Sequence, residues 1–136
     1  MQCRPKLIFV IIFLLTGACI DRPVCIEPGK EVAVTYTDAS GTQIERVMVG
    51  ADFGKLAANN GSYQCMGRCG IDCDSDPRVG PWLLNCLSHD ICSFRNASRD
   101  FFFDSQCGDE AWLAFRDALI YRVRGCSALN PEVTSP

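Results

Sequence analysis

Eight cysteines lie between residues 25 and 126, at positions 25, 65, 69, 73, 86, 92, 107 and 126, and they constrain this chain more than any other feature. In an oxidising compartment such an even set forms a disulfide framework, which lets a small domain manage with a modest core. In a reducing one, Cys65, Cys69 and Cys73 at four-residue intervals would be thiolates suited to zinc. The N-terminus decides between the two. Arg4 and Lys6 supply a positive region, Leu7 to Leu15 an apolar run short for a bilayer span, and Thr16-Gly17-Ala18 the small residues of a cleavage site. Residues 1–18 read as an export signal, so disulfides are expected.

Removing that signal takes away two basic residues and no acidic one, which moves the formal charge from −3 to −5 over 118 residues, enough for one domain. So acidic a chain is poorly suited to a phosphate backbone, and no nucleic-acid partner is expected. Nine cysteines remain, and nine cannot all pair. Leu15-Thr16-Gly17-Ala18-Cys19 resembles a bacterial lipobox with threonine at an aliphatic position. Cys19 then either carries a lipid, giving a membrane-anchored lipoprotein, or is an unpaired thiol in a freely secreted or periplasmic protein.

Residues 19–30, with Pro23 and Pro28, read as a tether to a domain over 31–126. Val32-Ala33-Val34-Thr35-Tyr36 and Ile44-Glu45-Arg46-Val47-Met48-Val49, separated by Asp38-Ala39-Ser40-Gly41, predict a β-hairpin over 31–49. Asp52 to Asn60 suits a short helix ended by Asn59-Asn60-Gly61. The core of the domain is expected over 61–126. A loop with Cys65, Cys69 and Cys73 leads to Pro81, a good first residue for a helix from Trp82 to about Arg95 whose Leu83, Leu84, Leu87 and Ile91 form a buried stripe. A second helix is expected from near Ser105 through Val123, capped by Gly125, and residues 127–136 read as a flexible tail. The expected fold class is mainly α and disulfide-rich. Two antiparallel helices carry the site, a calcium-type loop precedes the first, and the hairpin is a small N-terminal addition.

The first helix carries Asn85-Cys86-Leu87-Ser88-His89-Asp90-Ile91-Cys92, with the only histidine of the chain. At 3.6 residues per turn, Cys86 and Cys92 lie about 60° to either side of His89, and Asp90 stands one turn above Cys86. Crosslinks there would hold an imidazole and a carboxylate in fixed, separate directions. A neutral imidazole takes a proton from water best when a carboxylate holds its other nitrogen, and an ester carbonyl under attack needs positive charge where its oxyanion forms.

Cys-x-x-His-Asp-x-Cys on a helix, preceded by a Cys-Gly loop, resembles the secreted phospholipase A2 superfamily over roughly Tyr63 to Trp112. The resemblance implies that His89 is the general base, that Asp90 binds calcium, and that Asp109, at the start of the second helix, orients the imidazole. Asp104 and Glu110 are the alternatives to Asp109. It also implies that Arg68-Cys69-Gly70-Ile71-Asp72 is the calcium loop, with the carbonyls of Arg68, Gly70 and Asp72 as ligands and Cys69 bonded to Cys86. That bond would bring the Gly70 turn to Asp90 and leave Cys92 facing the second helix, with Cys107 as its expected partner.

The chain departs from the family pattern in three places. Asn85 stands where another cysteine is common, Asp72 replaces the second glycine of the loop, and Cys65 and Cys73 have no counterparts. Asp72 adds charge for calcium, or spoils the turn if a positive φ is needed there. The acidic run Asp72, Asp74 and Asp76 is otherwise a solvated loop, and Phe101-Phe102-Phe103 suits core packing or a bilayer surface. The expected activity is calcium-dependent hydrolysis of a phospholipid ester at a membrane surface. The alternative is a catalytically inactive binding module on the same stapled scaffold, for a membrane or protein partner.

Overall fold

A computed structural model of the chain describes residues 21–70, 80–98 and 105–131. Its elements run β1 (Val24–Cys25), β2 (Glu31–Asp38), β3 (Gly41–Met48), β4 (Lys55–Leu56), β5 (Gly61–Ser62), α1 (Leu84–Asn96), α2 (Gly108–Arg124) and β6 (Ala128–Leu129). The leader, Cys19, residues 71–79 and the Phe101-Phe102-Phe103 run lie outside the described residues.

Alternation shapes the β2–β3 hairpin. Val32, Val34 and Tyr36 on β2 and Val47 on β3 are buried, whereas Glu31 just before them and Thr35 between Val34 and Tyr36 are exposed. The register pairs Val32 with Val47 and Asp38 with Gly41, leaving a two-residue turn in which the Asp38 carboxylate accepts the Ser40 N–H at 2.7 Å. Helix α1 lies across this sheet. Leu87 and Ile91, both fully buried, join Val32, Val34, Val49 and Met66 in one core cluster, while Leu83 packs with the Cys69 and Cys86 sulfurs.

The described residues hold 31% helix and about 28% strand, so the fold is mixed α/β and the expectation of a mainly α protein is wrong. Two features account for the difference. The short helix expected over Asp52 to Asn60 is instead the β4–β5 hairpin, flanked by mutual bonds from Phe53 N–H to the Tyr63 carbonyl and from Tyr63 N–H to Gly54. Asn59 holds its tip, accepting the Gly61 N–H and donating to the Tyr63 hydroxyl and the Ser98 carbonyl. The second feature is β1 pairing in parallel with β6, Val24 opposite Ala128, with Cys25 and Cys126 in a disulfide beside them. Part of the expected tether and part of the expected tail therefore belong to the domain.

Helix α1 starts two residues later than Pro81 suggests, because residues 81–83 are engaged in pairing. Cys69 N–H bonds the Pro81 carbonyl, Ile26 N–H that of Trp82, and Leu83 N–H that of Gly67. Just before them Gly80 passes so close to Cys69 that a Cβ there would lie 1.5 Å from the Cys69 carbonyl oxygen. This neck fixes the end of the Cys65 to Gly70 loop against the start of α1. Gly80→Ala should therefore lower stability by several kcal/mol and leave thiols unpaired, because the obstacle is backbone and cannot rotate away. Denaturation midpoints and thiol titration against the unaltered chain test this, and a wild-type midpoint with full pairing would show the neck to be looser.

Candidate active site

Three disulfides join described residues, and two of them grip α1. Cys86 bonds Cys69 in the preceding loop, and Cys92 bonds Cys107 at the start of α2, with Cα separations of 5.3 and 5.8 Å. Cys65 is also disulfide-bonded, to a partner outside the described residues. Because Leu87 and Ile91 point into the core, the same 100° step turns His89 toward the opposite side of α1. His89 and Asp90 each keep 24% of their side-chain surface exposed, and His89 Nδ1 lies 3.9 Å from Asp90 Oδ1, beyond hydrogen-bonding distance.

Asp90 reaches the loop at a residue that the sequence did not single out. Its Oδ2 accepts the Gly67 N–H at 2.8 Å. Gly67 has φ +96°, and a Cβ there would stand 3.0 Å from Ile26 Cδ1 and 3.2 Å from Leu87 Cβ, so only glycine lets the loop approach α1 this closely. The available signal was a second glycine three residues before Gly70. The crosslink from Cys69 to Cys86 sets this contact, since Asp90 follows Cys86 by one turn.

Of the expected calcium ligands, Arg68 and Gly70 sit in this loop beside the contact and Asp72 lies outside the described residues. Gly70 is exposed at φ +132°, and the Arg68 guanidinium lies over the Trp82 ring at 6.0 Å. Among the described residues no three His, Cys, Asp or Glu side chains gather as a metal set. A cation bound here would thus rest on Asp90 together with backbone carbonyls, the donor mixture that calcium accepts.

Among the described residues, nothing joins Asp109 to His89. Asp109 is exposed in the first turn of α2, whereas the buried positions of that helix are Gly108, Glu110, Ala111, Ala114 and Asp117. Asp104 lies outside the described residues. Glu110 is buried and faces the hairpin, where its Oε1 accepts the Thr37 N–H at 2.7 Å while Oε2 has no hydrogen-bonding partner among the described residues. Asp117 is the carboxylate that meets α1. Its Oδ2 accepts the Asn85 side-chain amide at 2.6 Å, and its Oδ1 accepts from Arg116. Sequence reading passed over it because it lies deep in the helix, away from the Cys-Gly-Asp signature.

A family model described as a domain of unknown function, DUF8213, matches residues 22–136. No curated protein and no solved structure matches the chain.

Burial pushes the Asp90 carboxyl up from 3.8 to about 7, and the Gly67 N–H pulls it back only in part. Below about pH 4 this costs nothing, because the group is protonated in the folded and unfolded chain alike. As pH rises from 4 to 7 the unfolded chain ionises first, stability falls, and above 7 the full cost applies, on the order of 4 kcal/mol without calcium. Asp90→Asn keeps an acceptor for Gly67 and removes the charge. In chelator, its stability should change less between pH 5 and 8 than that of the unaltered chain, as read by denaturant unfolding. Parallel pH profiles would show that Asp90 ionises normally.

Proposed function

The chain belongs to the DUF8213 family, a domain of unknown function, and because membership brings no activity with it, we propose from the site itself that the protein hydrolyses a phospholipid ester with water activated by His89. One observation carries the reading. The His89-Asp90 pair is fixed on a helix stapled to a glycine loop, and Asp90 touches that loop through Gly67. This arrangement supports the resemblance to the phospholipase A2 superfamily drawn from Cys86, His89, Asp90 and Cys92.

Asp90 suits a divalent cation by the chemistry of its surroundings. It is a carboxylate raised by burial, with Oδ2 held by Gly67 N–H and Oδ1 left toward His89, beside the loop of Arg68 and Gly70. Asp90 and the carbonyls of Arg68 and Gly70 would hold calcium, which when bound supplies positive charge to the ester carbonyl. His89, a quarter exposed, takes the proton from a water and later returns one to the leaving alkoxide. The hydrogen bond from Gly67 holds Asp90 Oδ2 on the loop while Oδ1 stays 3.9 Å from His89 Nδ1, too far for a hydrogen bond, so that base and cation ligand stay distinct. No role in this scheme falls to Asp109.

A non-catalytic binding module on the same scaffold is favoured by one observation, the exposed position of Asp109, where the family pattern puts the carboxylate behind the base. The two readings separate cleanly. The mature chain should release fatty acid from phospholipid vesicles in millimolar calcium and stop in EDTA, and His89→Gln should lower the rate about 100-fold or more at unchanged folding. Full activity in His89→Gln would end the mechanism. Absence of activity together with absence of calcium binding by calorimetry would establish the inert reading instead.

A further inference from the structure

The chain has one asparagine followed by glycine, Asn60-Gly61, and it lies at the tip of the β4–β5 hairpin, where Asn60 is exposed at φ +56°. That dipeptide is chemically labile, because glycine has no side chain to keep its backbone nitrogen away from the preceding side-chain amide. The other asparagines precede asparagine, cysteine, alanine or proline, which shield the same nitrogen or, for proline, leave it without a proton.

The fold requires this glycine. A Cβ at residue 61 would stand 2.7 Å from Tyr63 Cε2 and 2.9 Å from Asn59 Oδ1. Both neighbours are held. The Tyr63 hydroxyl is hydrogen-bonded to that of Ser93 on α1 at 2.7 Å and accepts from the Asn59 amide at 2.6 Å, and the same amide donates to the Ser98 carbonyl at 2.8 Å. Tyr63, Ser93 and Ser98 are all buried. The contacts that anchor the hairpin to the end of α1 thus leave glycine as the residue that fits after Asn60.

The same contacts occupy the reactive nitrogen. The Gly61 N–H donates to Asn59 Oδ1 at 2.9 Å, closing an Asx turn across Asn60. Cyclisation needs that nitrogen to lose its proton and turn its lone pair on Asn60 Cγ. A proton held by Asn59 is withheld from the base that would remove it.

We propose that Asn60 is a site of spontaneous modification by water and that Asn59 restrains the reaction. The Gly61 nitrogen bonds Asn60 Cγ, the Cγ–Nδ2 bond breaks, and ammonia leaves with the proton that the nitrogen gives up. Water then opens the cyclic imide. Cleavage at Cγ gives aspartate, whereas cleavage at the backbone carbonyl carbon gives isoaspartate, which puts an extra methylene into the main chain. That methylene displaces Gly61 from Asn59 and Tyr63, so the change reaches Ser93 on the helix that carries His89 and Asp90. Aspartate at the same position leaves the backbone and these contacts in place. No activity of His89 is required, and the inference stands apart from the catalytic reading.

The test is incubation of the mature chain, Asn59→Ala and Asn59→Asp in mildly alkaline buffer, following ammonia release and resolving aspartate from isoaspartate at residue 60 by peptide mapping. Asn59→Ala loses the acceptor and should convert about tenfold faster than the unaltered chain, the equivalent of one hydrogen bond. Asn59→Asp keeps an acceptor for the Gly61 N–H while losing the amide's bonds to Tyr63 and Ser98, so it should convert as slowly as the unaltered chain. Equally fast conversion of the two variants would overturn the restraint by Asn59. The unaltered chain, reduced and unfolded in denaturant, should also convert about tenfold faster than when folded. That comparison holds whether or not the variants fold, and equal rates would overturn the proposal. The isolated isoaspartate form should melt below Asn60→Asp, and equal melting of the two would overturn the link to Ser93.

Discussion

Helix α1 is fixed covalently on two sides, and the rest of the molecule is arranged around that constraint. The bond from Cys86 to Cys69 holds the loop, the bond from Cys92 to Cys107 holds α2, and Leu87 and Ile91 fill the side between them against the hairpin. Each crosslink closes a short loop, worth about 3 kcal/mol in the chain-entropy account. Their directional effect matters as much. With its rotation about its own axis set, α1 has one face left for His89 and one edge for Asp90, and neither can exchange with the other. The Gly67 contact is the finest adjustment in this scheme, since it needs a glycine on the loop, a close helix and a carboxylate one turn beyond the cysteine.

Much of this was legible because local patterns carried it. The β2–β3 hairpin follows from alternating valines and an Asp-to-Gly turn, α1 from its leucine stripe, and the Cys-x-x-His-Asp-x-Cys spacing from helical geometry. What stayed hidden depended on distant partners. Val24 and Cys25 form a strand because Ala128 and Leu129 return beside them, and no property of residues 19–30 announces that. Asp52 to Asn60 has a composition suited to a helix, yet Tyr63 pairs back to Phe53 and Gly54 and draws the segment into strands. A balance that tips toward β in this way comes from tertiary pairing and not from propensity.

The site was legible to the same degree. His89 and Asp90 were found by type and spacing, and the loop by its cysteine, but the contact falls at Gly67, three residues before the glycine that resemblance selects. Asp109 was chosen for its place after a cysteine, although the first turn of α2 directs it to solvent. Asp117 and Asn85 form the polar contact that does cross between the helices. Asn85 occupies the position where the resemblance would put a further cysteine, so a hydrogen bond of about 1 kcal/mol, or somewhat more to a charged acceptor, stands in for a covalent link.

The disulfide between Cys25 and Cys126 spans 101 residues and joins the two ends of the domain. During synthesis Cys25 emerges early, while its partner follows almost the whole domain. The inner bonds from Cys69 to Cys86 and from Cys92 to Cys107 have both members available long before that. A vectorial order is thus written into the connectivity, in which the helix-centred staples can set while the chain is still appearing and the outer ring closes only afterwards. A truncation at any point before residue 126 would leave Cys25 without the partner that closes the domain.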